Sequence, residues 1–139
     1  MPTEPGCEVR SVTPREFIRQ APADARHLVE LRRTLQRWVA DLGLSFELQQ
    51  DVVLASYEAM ANSAEHAYRQ SAPGAIDVHA IHAGDKLTVT VTDQGTWKRP
   101  DGSDTFRGRG LKMIQALAHT SALRRGSGTR VTMTWALER

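Results

Sequence analysis

Cysteine is almost missing from this sequence. Cys7 is the only one in 139 residues, which excludes an intrachain disulfide framework and a cysteine-rich zinc site. Long apolar runs are missing too: none approaches the ~20 residues that span a bilayer. The start, Met1-Pro2-Thr3-Glu4-Pro5-Gly6, lacks the basic and apolar regions of a signal peptide. Aromatic residues make up only 6% of the chain. Neither an aromatic ladder nor zinc-finger spacing accompanies the basic residues, which argues against direct nucleic-acid binding. No G-x-x-x-x-G-K-[ST] occurs, so there is no Walker-type phosphate loop, and there is no internal repeat. What remains is an ordinary globular composition, 40% hydrophobic and 24% charged. The length fits one domain over 1–139, able to bury a core without a staple. The expectation is a soluble, cytoplasmic domain with a loose start over about 1–7 and no membrane partner.

The net charge of +2 conceals an uneven distribution. Between Gln94 and Arg130 lie Lys98, Arg99, Arg107, Arg109, Lys112, Arg124, Arg125 and Arg130, against only Asp101 and Asp104. That stretch is locally about +6, and the remainder is acidic on balance. A solvated basic surface would account for it, and so would the phosphates of a small ligand.

Periodicity gives the elements. Glu8–Thr13 reads as a short edge strand. A helix follows Asp24, its N-cap, with an apolar stripe of Leu28, Leu31, Leu35, Trp38 and Leu42, and ends at Gly43. Arg26, Arg33 and Arg37 fall on another side. Ser45 caps a second helix with a body over Leu48–Tyr68 and a buried stripe of Val53, Tyr57, Met60, Ala64 and Ala67. On this helix Leu54, Glu58, Asn62 and His66 recur every fourth residue, so three polar side chains stack among alanines. Such a stripe suits either a solvated face or a site.

Strands over Ile76–Ala83 and Lys86–Thr92 are joined by a Gly84-Asp85 turn. A segment without period, Thr96–Arg107, reads as a loop. Gly108-Arg109-Gly110 then leads into a short amphipathic helix through Leu111, Ile114, Leu117 and Ala118. A last hairpin pairs Thr120–Arg125 with Thr129–Leu137 around Gly126-Ser127-Gly128. This order predicts an α+β two-layer sandwich, a mostly antiparallel sheet with helices on one face.

Strand parity points to chemistry. Asp93 shares the parity of Leu87, Val89 and Val91, so it leaves its strand toward the buried side, where a carboxylate is costly unless hydrogen bonds reach it. Thr129 shares the parity of Val131, Met133 and Trp135. Two polar side chains thus face the helix layer, where Glu58 and Asn62 stand ready. Free N–H groups at the Gly108-Arg109-Gly110 helix start, flanked by Arg107 and Lys112, form a phosphate cradle.

The segments Glu58-Ala59-Met60-Ala61-Asn62-Ser63-Ala64-Glu65-His66-Ala67-Tyr68, Asp93-Gln94-Gly95, Gly108-Arg109-Gly110-Leu111 and Gly128-Thr129 resemble the ATP-binding boxes of the GHKL superfamily, whose fold is the Bergerat fold. The Glu-x-x-x-Asn-x-x-x-His-x-Tyr form of the first box is similar to that of the anti-sigma-factor serine kinases. The resemblance covers about residues 20–137. It implies that Asn62 coordinates a Mg²⁺ bridging the ATP phosphates and that Glu58 is the base near the γ-phosphate. It further implies that Asp93 accepts from the adenine amino group with Thr129 close by, and that Gly95 keeps the adenine floor open. Gly108 and Gly110 would hinge a lid over about 96–107 and, with Arg107, Arg109 and Leu111, meet the phosphates. Trp97 departs from the pattern, standing where a second glycine is common. His66 is expected to pack within the fold, since no acceptor helix of the histidine-kinase kind precedes it.

The function implied is an ATP-dependent serine protein kinase acting on an anti-anti-sigma protein and sequestering a sigma factor, as a homodimer. Two alternatives are a module that binds ATP without catalysis and the kinase domain of a larger regulator.

Overall fold

The computed structural model describes residues 15–64, 74–94, 114–118, 120–124 and 128–137. Strand β1 is Arg15–Pro22, helix α1 Ala25–Ala40, helix α2 Phe46–Asn62, strand β2 Ala75–Ala83, strand β3 Lys86–Asp93, strand β4 Thr120–Arg124 and strand β5 Thr129–Ala136. The five strands form one sheet in the order β1-β2-β3-β5-β4, and every neighbouring pair is antiparallel. A single helical turn over 114–117 precedes β4.

Register builds the core. Phe17 lies opposite Ala80, Val78 opposite Val91, Val91 opposite Val131, Val89 opposite Met133 and Leu87 opposite Trp135. All of these are buried and share one face. Against it pack Leu28, Leu31, Leu35 and Val39 of α1 and Val52, Ala55, Ala59 and Met60 of α2. Burying each large aliphatic side chain is worth about 1.5–3 kcal/mol, so this layer dominates the favourable side of folding. Thr88, Thr90, Thr92, Thr132 and Thr134 have the opposite parity and are only half-buried. The result is the two-layer sandwich that the element order predicts. Trp135 Nε1 donates to Leu117 O at 2.8 Å, tying the 114–117 turn to β5, and Ile114 beside it is wholly buried.

The helix starts follow their caps. Asp24 accepts from the His27 backbone N–H, and Ser45 accepts from that of Leu48, at 2.9 and 3.1 Å. Gly43, with φ of +81°, turns the chain between the helices, and Gly84, at +64°, turns the β2–β3 hairpin.

Two expectations need correction, and a third is not reached by the described residues. The first strand, expected over Glu8–Thr13, falls outside the described residues; the strand seen is Arg15–Pro22. It is an edge strand with Phe17 as its one fully buried side chain, so it carries no alternation for a pattern to catch. Helix α1 buries Val39 completely, while Trp38 is only partly buried, its ring 5.7 Å from that of Phe17.

The larger correction concerns α2. Its buried side is Val52, Ala55, Ser56, Ala59 and Met60, so of the expected stripe Met60 is buried but Val53 and Tyr57 are not. Val53 and Tyr57 are half-buried, and Leu54 is 45% exposed. Ala55, Ser56 and Ala59 let α2 approach the sheet closely between the buried Val52 and Met60, and Val53, Leu54 and Tyr57 turn outward. Within that expected stripe and body, Ala67 and Tyr68 fall outside the described residues, and Ala64 is partly buried.

Candidate functional site

Helix α2 lies over β3 and β5, which brings its C-terminal end toward the ends of those strands. Asp93, the last residue of β3, is in register with Thr129, the first of β5. Both are 1% exposed, as their parity predicts. The next residue back, Gly128, explains how closely the strands enter: a Cβ there would come within 2.3 Å of the Asp93 carbonyl oxygen. Only glycine fits, so the fourth box is fixed by a backbone contact as well as by Thr129.

Burying Asp93 requires donors, and α2 supplies one. The Ser63 hydroxyl donates to Asp93 Oδ2 at 2.6 Å, a length typical of a charge-assisted O–H···O⁻ bond. Ser63 itself is 1% exposed and caps α2, its N–H reaching the carbonyls of Ala59 and Met60. Its role was not anticipated from the sequence. The available signal was position: Val52, Ala55, Ser56, Ala59, Met60 and Ser63 form one continuous helical stripe.

Asn62, one residue earlier, is 6% exposed, and its Nδ2 has no hydrogen-bond partner. Thr129 Oγ1 is likewise buried without a partner. Folded proteins satisfy most buried polar groups, so these two unmet groups make the junction a candidate ligand site. Ser56 Oγ is also unmet, two turns back along α2. Glu58, one turn before Asn62, is half-buried. The structure thus gathers Asn62, Asp93 and Thr129 at one junction of sheet and helix, with Glu58 on the same helix. Gly95, Arg107, Gly108, Arg109, Gly110 and Leu111 lie outside the described residues, as do His66, Trp97 and the 96–107 segment.

Among the described residues, no group of three or more His, Cys, Asp or Glu side chains could hold a metal ion. A neutral Asn62 amide suits a Mg²⁺ that takes most of its ligands from phosphates and water. A separate groove of about 340 Å³ runs between α1 and α2, lined by Arg32, Gln36, Phe46, Leu54 and Tyr57 among others. None of the candidate site residues lines it. No helix among the described residues is long and apolar enough to cross a membrane.

Asp93, Asn62 and Gly128-Thr129 are among the residues on which the sequence resembles the ATP-binding boxes. The profile of the histidine kinase-like ATPase domain matches residues 21–135. The chain belongs to that family. It is the family of the GHKL ATPases, and the named relatives lie in its anti-sigma kinase branch.

Serine-protein kinase RsbW of Listeria monocytogenes serotype 4a (strain HCC23) is 29% identical over 130 residues, 83% of either chain. RsbW of Staphylococcus aureus (strain JH9) is 25% identical over 136 residues, 86% of either chain. Among solved structures, that of the RsbU and RsbW domains of a Mycobacterium tuberculosis protein aligns with a TM-score of 0.73 at 29% identity. The match takes in 90% of this chain but only 33% of that one. The histidine kinase domain of a blue-light activated histidine kinase from Erythrobacter litoralis, at 20% identity and a TM-score of 0.59, shares the fold.

Proposed function

We propose that this chain is a Mg²⁺-ATP-dependent serine protein kinase that serves as an anti-sigma factor. In this reading it is a single domain over 1–139, cytoplasmic and homodimeric. It phosphorylates a serine of an anti-anti-sigma protein and holds a sigma factor. The observation that carries the reading is the buried cluster at the α2–β3–β5 junction, where Asp93 sits beside the unmet groups of Asn62 and Thr129.

The chemistry follows from those residues. The Asp93 carboxylate accepts from the adenine amino group, and the Thr129 hydroxyl supplies the bond it lacks in the free fold. Gly95 leaves room for the base. The Asn62 amide oxygen is the protein's ligand to Mg²⁺, which neutralises phosphate charge when bound. Gly108, Gly110 and Leu111 bring backbone to the phosphates, and Arg107 and Arg109 bring positive charge. Phosphoryl transfer needs chiefly positioning and charge neutralisation, which this set provides. Glu58 takes the proton of the acceptor serine hydroxyl as the serine oxygen bonds to the γ-phosphorus and ADP departs.

Glu58 adds negative charge beside a polyanion, so it serves transfer rather than binding. Glu58→Ala is therefore expected to leave ATP affinity nearly unchanged while slowing single-turnover phosphorylation by roughly 10²–10⁴-fold. Undiminished transfer by the variant would remove Glu58 as the base. A wild-type protein that binds ATP yet phosphorylates none of the candidate anti-anti-sigma proteins would favour a nucleotide-responsive binding module.

A further inference from the structure

Ser63 is the least economical residue of its helix. It stands between Asn62 and Ala64 in an alanine-rich stretch, at a site 1% exposed, where alanine would fill the space and favour the helix slightly more. Serines at such positions commonly return their hydroxyl to a carbonyl one turn back. This one reaches across layers to a residue thirty positions away, Asp93 on β3. Ser56 on the same stripe is a useful contrast, since it is equally buried and its hydroxyl has no partner. Burial of a serine on this helix therefore does not by itself produce a bond, and the Ser63–Asp93 contact has a specific geometry.

We propose that Ser63 is a positioning residue that sets the base selectivity of the nucleotide site through Asp93. The proposal rests on the reading of Asp93 as the acceptor of the adenine amino group. A carboxylate at a strand end can rotate about its terminal torsion, which is broad. Donation to Oδ2 at 2.6 Å fixes that rotation from the helix side and commits the carboxylate to act as an acceptor. A carboxylate offers about four lone-pair directions, so accepting from the Ser63 hydroxyl is compatible with accepting from a ligand N–H as well. The Thr129 hydroxyl, in register with Asp93 and unmet, stands on the other strand of the same junction. Selectivity for a base that donates at this point is then a property of three side chains on α2, β3 and β5.

The test is equilibrium titration, with Mg²⁺ present, of ATP and of purine riboside 5′-triphosphate, which is ATP without its amino group. The proteins are wild type, Ser63→Ala, Ser63→Cys, Asp93→Asn and the Ser63→Ala/Asp93→Asn pair, each checked by thermal unfolding. Wild type is expected to prefer ATP. Ser63→Ala should weaken ATP about tenfold, the scale of losing a partner that orients a ligating group, and leave the amino-free nucleotide nearly unchanged. Ser63→Cys, close in volume and a poor donor, should behave like Ser63→Ala. In the Asp93→Asn background the serine change should have no further effect.

Equal weakening of both nucleotides by Ser63→Ala would make Ser63 a packing residue and overturn the proposal. So would wild-type selectivity retained by either serine variant. A wild type that binds both nucleotides equally would instead remove the adenine reading of Asp93, a failure distinguishable from that of Ser63 alone.

Discussion

Asp24 and Asp93 are both engaged by hydrogen bonds at the boundary of an element, and they differ in everything else. Asp24 precedes α1 and accepts from the His27 backbone N–H at 2.9 Å and faces the His27 ring Nδ1 at 2.8 Å. These partners lie three residues away, and both side chains are about 40% exposed. The His27 backbone N–H first, and its ring second, hold the Asp24 carboxyl below the usual carboxylate range. Asp93 ends β3 at 1% exposure, and Ser63, a donor to it, belongs to the other layer. Its neighbours Asn62 and Thr129 carry unmet polar groups. A local, wet carboxylate completes a helix start. A buried one, reached from another layer and flanked by unmet groups, is the kind of cluster that the proposed nucleotide would complete.

Substitutions can break or sharpen this contrast. The largest effect is expected at the buried member: Asp93→Asn should cost about 1.5–3 kcal/mol of ATP binding, the worth of a hydrogen bond to a charged group. Calorimetric titration checks it, and an unaltered affinity would place Asp93 with the structural aspartates.

Thr129→Val should come next. Its hydroxyl is buried and unpaired in the free fold, so the variant should melt no earlier than wild type, yet lose about 0.5–1.5 kcal/mol of ATP affinity. Lower stability together with full affinity would contradict the assignment.

The smallest effect belongs to Asp24→Ala, which should lower the melting temperature slightly and leave nucleotide binding alone. Because its folded pKa is depressed, Asp24 contributes stability that is present above the unfolded value of about 3.9 and is lost as pH falls through its folded value. The melting difference between wild type and Asp24→Ala should therefore close in acid, and a difference that persists there would contradict the cap's electrostatic part.

Much of this was legible in the sequence where period and parity are strong. The clean alternation of β3 placed Asp93 and, through β5, Thr129 on the inner face. The caps Asp24 and Ser45 were readable because capping is local chemistry. The failures have a common cause. In α2 the large residues Val53 and Tyr57 suggested an inner face, but Val52, Ala55, Ser56, Ala59 and Met60 hold it, small side chains between two large ones that allow close approach to the sheet. That same error of phase hid Ser63. In β1 a single buried phenylalanine left no pattern to read. Gly128 was visible as a turn glycine, but its need became plain only when the Asp93 carbonyl was found in the space of its missing Cβ.

The central claim is that the α2–β3–β5 junction is a site for an adenine nucleotide, with Asp93 reading the base. Its most direct test is isothermal titration of wild-type protein with ATP and with GTP, in Mg²⁺ at one salt concentration. Adenine donates a proton where guanine presents an oxygen acceptor, so a carboxylate at that point should bind ATP and discriminate against GTP. Measurable ATP binding with GTP at least about tenfold weaker, the usual cost of setting an acceptor against an acceptor in a buried site, is the expected result. Equal affinities for ATP and GTP would contradict the account.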